Sequence, residues 1–174
     1  NVIANPTLGF LVSETGAGCT WSRNSRQHRL TPWTNDPIAD PHGEALWIRD
    51  QETGVFWSPL PGPTPAPAPY EVRHGFGQTQ WRHDSHGLTQ ETTMFVARDE
   101  PVKIVRLRIT NAGTGRAGGV VYYARLVLGV FPSASVAAQY DPAGGVLLAR
   151  NPGAGEFSDG IAFAAAIPPA ASAS

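Results

Sequence analysis

The chain has 174 residues, a single cysteine and a formal net charge of −1 at pH 7. This length suffices for one domain with a hydrophobic core, and the near-neutral charge provides no field to attract polyanions, so we expect no nucleic-acid partner. One cysteine excludes an internal disulfide and a cysteine-built zinc site, and Cys19 itself is expected to be a small buried apolar residue.

Turn-forming residues predict an all-β fold, an antiparallel β-sandwich. The 19 glycines and 16 prolines separate short apolar or alternating runs, which is typical of sandwiches and barrels. The predicted strands, in chain order, are residues 9–13, 44–50, 55–58, 71–76, 79–83, 88–96, 102–111, 120–128, 146–149 and 161–165. In the seventh, Leu107 and Ile109 alternate with Arg106 and Arg108, so one face is predicted to be buried and the other wet.

The connections between these strands give further predictions. Residues 49–54 and 83–87 are polar and end in glycine, which predicts hairpin turns, and residues 110–119 predict a similar turn between two long strands. The proline-rich segment 61–70 is expected to be an extended surface connector. We therefore expect a sandwich domain over residues 1–166, followed by a cut or disordered tail at 167–174.

The run 20–37 fits neither a strand nor a nucleic-acid arm. It combines spaced arginines (Arg23, Arg26, Arg29) with short polar side chains and two flat indoles (Trp21, Trp33). Such a mixture suits a carbohydrate cleft, because pyranose rings stack on indole and their hydroxyls pair with arginine, asparagine and aspartate. The alternative is an Arg–Asp network that holds an irregular loop, and composition alone favours it because most buried ion networks are structural.

Several motifs carry a resemblance to a known family. In order, they are NSR, LTPWTNDP, GEA, RD, TG and WSP, followed by YEVRHGFG and PVKIVRLRITN. Their order and spacing resemble the N-terminal β-sandwich of the cellobiose-phosphorylase-like family, and in particular the C-terminal region of cyclic β-1,2-glucan synthases. The resemblance covers residues 5–129, and it implies a galactose-mutarotase-like supersandwich.

What the resemblance implies about function concerns a larger enzyme. Family members act on β-glucosides by inverting phosphorolysis or its reverse, and a downstream α/α barrel supplies the catalytic acid. We therefore expect an accessory domain without catalytic residues, whose partners are the barrel and a β-glucan oligosaccharide. The alternative interpretation is a purely structural sandwich that packs on the barrel. No cofactor or metal is implied, although inorganic phosphate would serve a phosphorylase parent. The candidate sugar-binding residues are Arg26, Asn24, Arg23, Trp33, Asp36, Arg73 and His74.

Two departures from the family pattern bear on this expectation. Gln27 and His28 stand where the family reads Glu-Asn after NSR, and Arg125 and Leu126 stand where it reads Glu-Trp.

The N-terminus lacks the basic segment followed by an apolar segment that is typical of a signal peptide, and no apolar run reaches the length of a membrane span. We expect a cytoplasmic region of a bacterial protein whose parent is anchored in the inner membrane, and a fragment that self-associates.

Other chemistry is conceivable among the acids and histidines. Asp36, Asp40, Glu44 and Asp50 could provide a hydrolase pair, but neighbouring arginines are expected to pair with them and lower the pKa of each. His74, His83 and His86 could be read as a metal set, but their spacing matches no recognised site. A mutarotase-like His–Glu pair is a third alternative, supported only by analogy of fold.

Overall fold

A computed structural model describes residues 1–113, 115 and 117–168. In this part of the chain the regular secondary structure consists of β-strands and one turn of 3-10 helix at Gly155–Phe157, and no helix there is long and apolar enough to cross a membrane. The strands are β1 Val2–Ala4, β2 Leu8–Val12, β3 Gly18–Ser22, β4 Glu44–Asp50, β5 Phe56–Trp57, β6 Tyr70–Gly75, β7 Gln78–Ser85, β8 Leu88–Val96, β9 Lys103–Asn111, β10 Gly118–Ala124, β11 Ala137–Asp141, β12 Val146–Arg150 and β13 Ala162–Ala165. The predicted all-β fold is confirmed.

These strands form four antiparallel sheets. Their orders are β1-β2-β3, β10-β4-β5, β6-β7-β8-β9 and β11-β12-β13. The main core joins the first three sheets, because Phe10 of β2 and Leu46 of β4 pack in one cluster with Trp81 of β7 and Met94 of β8. A second cluster continues this contact with Ile48 and Trp57. Apolar side chains alternate along these segments, so an extended conformation turns one face of each segment into the core.

The two predicted hairpin turns are confirmed. At the end of β4, the Asp50 carboxylate accepts the backbone N–H groups of Glu52 and Thr53, and Gly54 has a φ of 75°. Between β7 and β8 the turn consists of His86 and Gly87, both at positive φ. A two-residue hairpin turn of this kind needs positive φ at both positions, which glycine adopts without strain.

Several sequence predictions need correction. The segment 110–119 does not close a hairpin, because β9 pairs with β8 whereas β10 pairs with β4; Thr114 and Arg116 lie outside the described residues. The strand predicted at 120–128 ends at Ala124. Ile109 is exposed, so the inward alternation of β9 stops at Leu107. The prediction also missed β1, β3 and β11, which are short and carry weak patterns.

The connector 61–70 is more than a surface spacer. The backbone carbonyl of Thr64 accepts the N–H of Ser58, the hydroxyl of Tyr70 donates to the carbonyl of Ser58, and Ala66 is buried in the second core cluster. At the other end of the chain, residues 169–174 of the predicted tail lie outside the described residues, so the domain boundary stays a prediction.

Candidate functional site

The loop that follows β3 is shaped by Asn24. Its side-chain oxygen accepts the backbone N–H groups of Arg26 and Gln27, each at 2.9 Å, and its backbone carbonyl accepts the N–H of His28 at 3.0 Å. Asparagine is favoured in such turns because its side chain can replace a backbone acceptor. Asn24 is thus occupied in holding the turn that presents Arg26.

The arginines of the loop do not form the expected Arg–Asp network. Among the described residues, none of Arg23, Arg26 and Arg29 makes an ion pair. Arg29 donates from Nε to the carbonyl of Ser25, and the exposed guanidinium of Arg26 has no hydrogen-bond partner among the described residues. Arg23 is exposed and adopts a φ of 60°. The prediction that the network holds the loop is wrong for the described residues, and the guanidinium of Arg26 is free to reach a ligand.

Asp36 also holds backbone. Its carboxylate accepts the N–H groups of Ile38 and Ala39, both at 3.0 Å. These hydrogen bonds, with that of Ala39 the larger cause, lower the pKa of the carboxyl.

The two tryptophans of the loop differ in how much of the indole is exposed. Trp21 lies in β3 against Gly9, where an added Cβ would come within 2.5 Å of the indole, whereas Trp33 is 38% exposed. Of the two indoles, Trp33 has the larger free face.

Arg73 and His74 lie on β6, an edge strand of the four-stranded sheet. The Arg73 guanidinium pairs with Glu71, and Nδ1 of His74 lies 3.1 Å from the hydroxyl of Thr79. Among the described residues no hydrogen bond or ion pair joins either side chain to the loop. The structure therefore brings Asn24 and Arg26 together on one turn and shows no contact between that turn and the β6 residues.

A buried polar cluster anchors the loop to the sheets. Glu44 of β4 is 7% exposed and pairs with Nζ of Lys103 at 2.6 Å, while its oxygens also accept hydrogen bonds from the hydroxyls of Thr20, Thr31 and Tyr122. Burial by itself would raise the pKa of Glu44, but the Lys103 charge and these donors outweigh it and hold the pKa at about 2. Such a carboxylate stays ionised and is a poor proton donor.

Burial is the main cause of two further pKa shifts at this cluster. Burial of the Tyr122 hydroxyl, and then the negative Glu44, raise the pKa of that phenol well above its ordinary value. Burial also raises the pKa of the Cys19 thiol to about 11. Cys19 is therefore an unreactive, buried thiol, as predicted from the sequence. The acid that the sequence placed among arginines is in fact paired with a lysine from β9.

The histidines serve packing contacts. His83 is buried and stacks on Tyr70 with centroids 3.7 Å apart, and His86 stacks on Trp57 at 3.9 Å. His28 stacks on Phe157 at 4.4 Å, and burial is the main reason that its pKa is lowered. The residues that the structure describes contain no group of three His, Cys, Asp or Glu side chains that could hold a metal ion.

The sequence prediction missed a cleft on the outer face of β4. The cleft has a volume of about 530 Å³ and is lined by Asp40, His42, Trp47, Gly62 and Tyr123, among others. In the motif GEALWIRD, Glu44, Leu46 and Ile48 are buried, so alternation turns Trp47 to the opposite face. That alternation was the signal that could have identified Trp47 as part of a site.

Comparison with known proteins identifies what the chain is similar to. A family model described as "Glycosyl hydrolase 94, supersandwich domain" matches residues 1–174. The chain is 38% identical over 168 residues to a cyclic beta-(1,2)-glucan synthase of Rhizobium meliloti (strain 1021). The aligned region covers 94% of this chain and 6% of that protein.

Two phosphorylases are also similar over part of the chain. An N,N'-diacetylchitobiose phosphorylase of Vibrio furnissii is 30% identical over 114 residues, covering 64% of this chain and 14% of the enzyme. A 3-O-beta-D-glucopyranosyl-beta-D-glucuronide phosphorylase of Paenibacillus borealis is 29% identical over 114 residues, covering 65% and 14%. The chain thus spans a small part of the length of each of these relatives.

Proposed function

Because the chain belongs to the supersandwich domain family of glycosyl hydrolase 94, we propose that it is a non-catalytic domain that helps to form the sugar cleft and the subunit contacts of a larger β-glucan-active enzyme. The parent enzyme is a β-glucan phosphorylase or a cyclic β-1,2-glucan synthase that acts by inverting transfer. The name of one relative, a cyclic beta-(1,2)-glucan synthase, supports a β-glucan as the substrate, and the names of two others support phosphorylase activity. In this proposal the catalytic acid belongs to an α/α barrel of the parent enzyme, as the family resemblance implies.

The observation that carries the proposal is the exposed, unpaired guanidinium of Arg26. Asn24 fixes the backbone on which it stands, and its guanidinium is exposed without a partner among the described residues. A guanidinium presents two parallel donors, which can bridge adjacent sugar hydroxyls or hold a phosphate. Trp33, half-exposed farther along the same loop, offers an apolar face for a pyranose ring. Unpaired donors carried on a fixed turn of backbone are available to a ligand.

Partners and location follow from the same proposal. The barrel of the parent and a β-glucan oligosaccharide are the partners, and inorganic phosphate is the co-substrate of a phosphorylase parent. The parent is proposed to be a bacterial inner-membrane protein with this region in the cytoplasm. His28 and Gln27 replace the family's Glu-Asn pair, and His28 is stacked inside the domain, so the proposal assigns no sugar contact to these two positions.

A structural role is the second candidate, and exposed apolar strands favour it. Val120, Val121, Tyr122 and Tyr123 of β10 are 44–54% exposed. Apolar groups left open on a strand usually pack against another segment or a partner. In this alternative the sandwich supports the barrel and touches no sugar, and replacing Arg26 leaves activity unchanged.

The substitution Arg26→Lys in the parent enzyme separates the two roles. Lysine keeps the charge but cannot copy the forked geometry, so we expect kcat/KM to fall by the equivalent of about 1–3 kcal/mol with an unchanged melting temperature. Arg108→Lys, on an exposed position of β9, is the matched control and should leave both quantities unchanged. A large fall in melting temperature with normal specific activity of the folded fraction would contradict the sugar-cleft role.

A further inference from the structure

The cleft on the outer face of β4 is formed by three segments that are distant in sequence. Residues 38–42 come from the end of the loop, residues 61–63 from the proline-rich connector, and Tyr123 from β10. Because Tyr123 pairs with Ala45 and Val121 with Trp47 in the β4–β10 ladder, the side chains of Tyr123 and Trp47 share one face of the sheet. Their ring centroids are 6.3 Å apart and the rings are inclined by 59°.

The cleft is held rigid by internal contacts. The Trp47 indole N–H donates to the hydroxyl of Thr64 at 3.1 Å, which fixes the ring orientation. His42 lies so close to Gly62 that a Cβ there would come within 2.4 Å of the imidazole. Asp40 adopts a φ of 38°, which is uncommon for a residue with a side chain, and its backbone N–H donates to the carbonyl of Asp36. Backbone strain of this kind is concentrated at ligand sites.

One carboxylate oxygen of Asp40 remains available. The hydroxyls of Ser13 and Thr15 both donate to Oδ2, at 2.7 and 2.5 Å, whereas Oδ1 accepts no hydrogen bond from any described residue. These two hydroxyls orient the carboxyl group. The lining of the cleft mixes polar and apolar groups, with a fixed acceptor beside two aromatic rings, and the volume lies in the usual range for small-molecule sites.

The lining residues select a neutral ligand. Among the residues that the structure describes, no lysine or arginine lines the cleft, so a phosphate or other anion would meet Asp40 without a lysine or arginine to compensate its charge. A β-linked glucopyranose carries its hydroxyls equatorially and therefore presents apolar C–H faces to aromatic rings and a rim of O–H donors to a carboxylate. We propose that this cleft binds a neutral β-glucosaccharide, with Trp47 and Tyr123 against the ring faces and Asp40 accepting from a hydroxyl.

This inference deepens the proposed function, because it rests on the domain having a role in sugar handling and adds a sugar contact apart from Arg26. The test is a titration of the 174-residue chain with linear β-1,2-gluco-oligosaccharides, followed by tryptophan fluorescence and by calorimetry. We expect saturable binding that Tyr123→Ala weakens by about threefold to tenfold, the equivalent of one lost aromatic contact. Asp40→Asn should also weaken binding, because asparagine tolerates positive φ but turns a donor toward the sugar.

Phe76→Ala is the matched control, since Phe76 is fully exposed at a hairpin tip away from the cleft. It should bind as the unmodified chain does, and circular dichroism should show the same fold for all three variants. Absence of saturable binding, or an equal loss in Phe76→Ala, would overturn the assignment. So would a tryptophan fluorescence that changes in the same way with protein concentration alone, because it would indicate a second copy of the chain in the cleft.

The sugar titration and the activity of the parent enzyme together distinguish this inference from the proposed function. If Arg26→Lys lowers the activity of the parent while Tyr123→Ala binds sugar normally, the loop assignment stands and the cleft assignment fails. If Tyr123→Ala weakens binding as expected while Arg26→Lys leaves activity unchanged, the cleft assignment stands and the loop assignment fails.

Discussion

Glu44 shows how one buried residue connects the sheets. It lies on β4, pairs with Lys103 of β9 and accepts a hydrogen bond from Tyr122 of β10, while Nζ of Lys103 also lies 4.5 Å from the centroid of the Phe10 ring in β2. The pKa of Glu44, about 2, is below its ordinary value of 4.5. The ionised carboxylate therefore stabilises the fold above pH 4.5, and this stabilisation is lost as the pH falls toward 2.

The substitution Lys103→Met tests the pairing. It leaves Glu44 buried without its counter-charge, so we expect the free energy of unfolding at pH 7 to fall by about 3–5 kcal/mol. At lower pH the difference from the unmodified chain should shrink, because an unpaired buried carboxyl has a raised pKa and takes up a proton that removes its charge. Urea unfolding at pH 7 and pH 4 measures both effects.

Arg106→Met is the control for that experiment, since Arg106 lies on the exposed face of the same strand. Its effect should stay within about 0.5 kcal/mol. If Lys103→Met destabilised the chain by the same amount at both pH values, the loss would come from packing rather than from the charge of Glu44.

At the level of elements, Asn151 attaches the sheet β11-β12-β13 to the rest of the fold. It follows β12, is 4% exposed, and donates to the carbonyls of Leu128 at 3.1 Å and Val127 at 3.5 Å. Its side-chain oxygen accepts the N–H of Gly153 and the hydroxyl of Ser135. One buried amide thus satisfies backbone groups of two separate segments, a role that a shorter side chain cannot fill.

We therefore expect Asn151→Ala to destabilise the chain by about 1–3 kcal/mol, because it leaves buried carbonyl groups unpaired. The loss should be local, so hydrogen exchange should accelerate in β11, β12 and β13 and remain unchanged in β7 and β8. Gln139→Ala, at an exposed position of β11, is the control. Uniform acceleration across all sheets would show that Asn151 does not act as a local anchor.

At the level of the whole molecule, β10 is an edge strand with exposed apolar side chains on both faces. Exposed apolar edges recruit partner strands, so we expect the isolated chain to self-associate at high micromolar concentration. Val121→Lys should reduce this association, because lysine on an edge disfavours pairing, whereas Ser133→Lys away from the strand should not. Light scattering measures both, and a strict monomer at all concentrations would count against the prediction.

The isolated chain is also expected to catalyse no phosphorolysis or synthesis of β-glucosides. Inverting transfer needs a carboxylic acid with a raised pKa near the leaving oxygen, whereas the pKa of Glu44 is held at about 2 and backbone hydrogen bonds lower that of Asp36. Phosphate release or uptake with laminari-, sophoro- and cello-oligosaccharides would be followed, with an active phosphorylase as positive control. Turnover that survives repurification of the chain would contradict the expectation.

The sequence by itself determined the fold class, the family and most long strands. β4 and β8 were predicted at their observed bounds, because alternation and flanking turn residues are local signals that survive folding. The hairpin glycines at 54 and 87 were equally readable, since positive φ is a property of the single residue. The shared order of motifs over residues 5–129 identified the family for the same reason: it is a property of the chain alone.

Only the tertiary structure decided which side chains meet. The sequence placed Glu44 among arginines, yet its partner is Lys103, 59 residues away on another strand. The cleft unites Asp40, Trp47, Gly62 and Tyr123 because β10 crosses from the β9 edge to pair with β4, and no local pattern specifies that pairing. Strand pairing depends on the packing of the whole core. Contacts between distant segments therefore cannot be predicted from the sequence next to each residue.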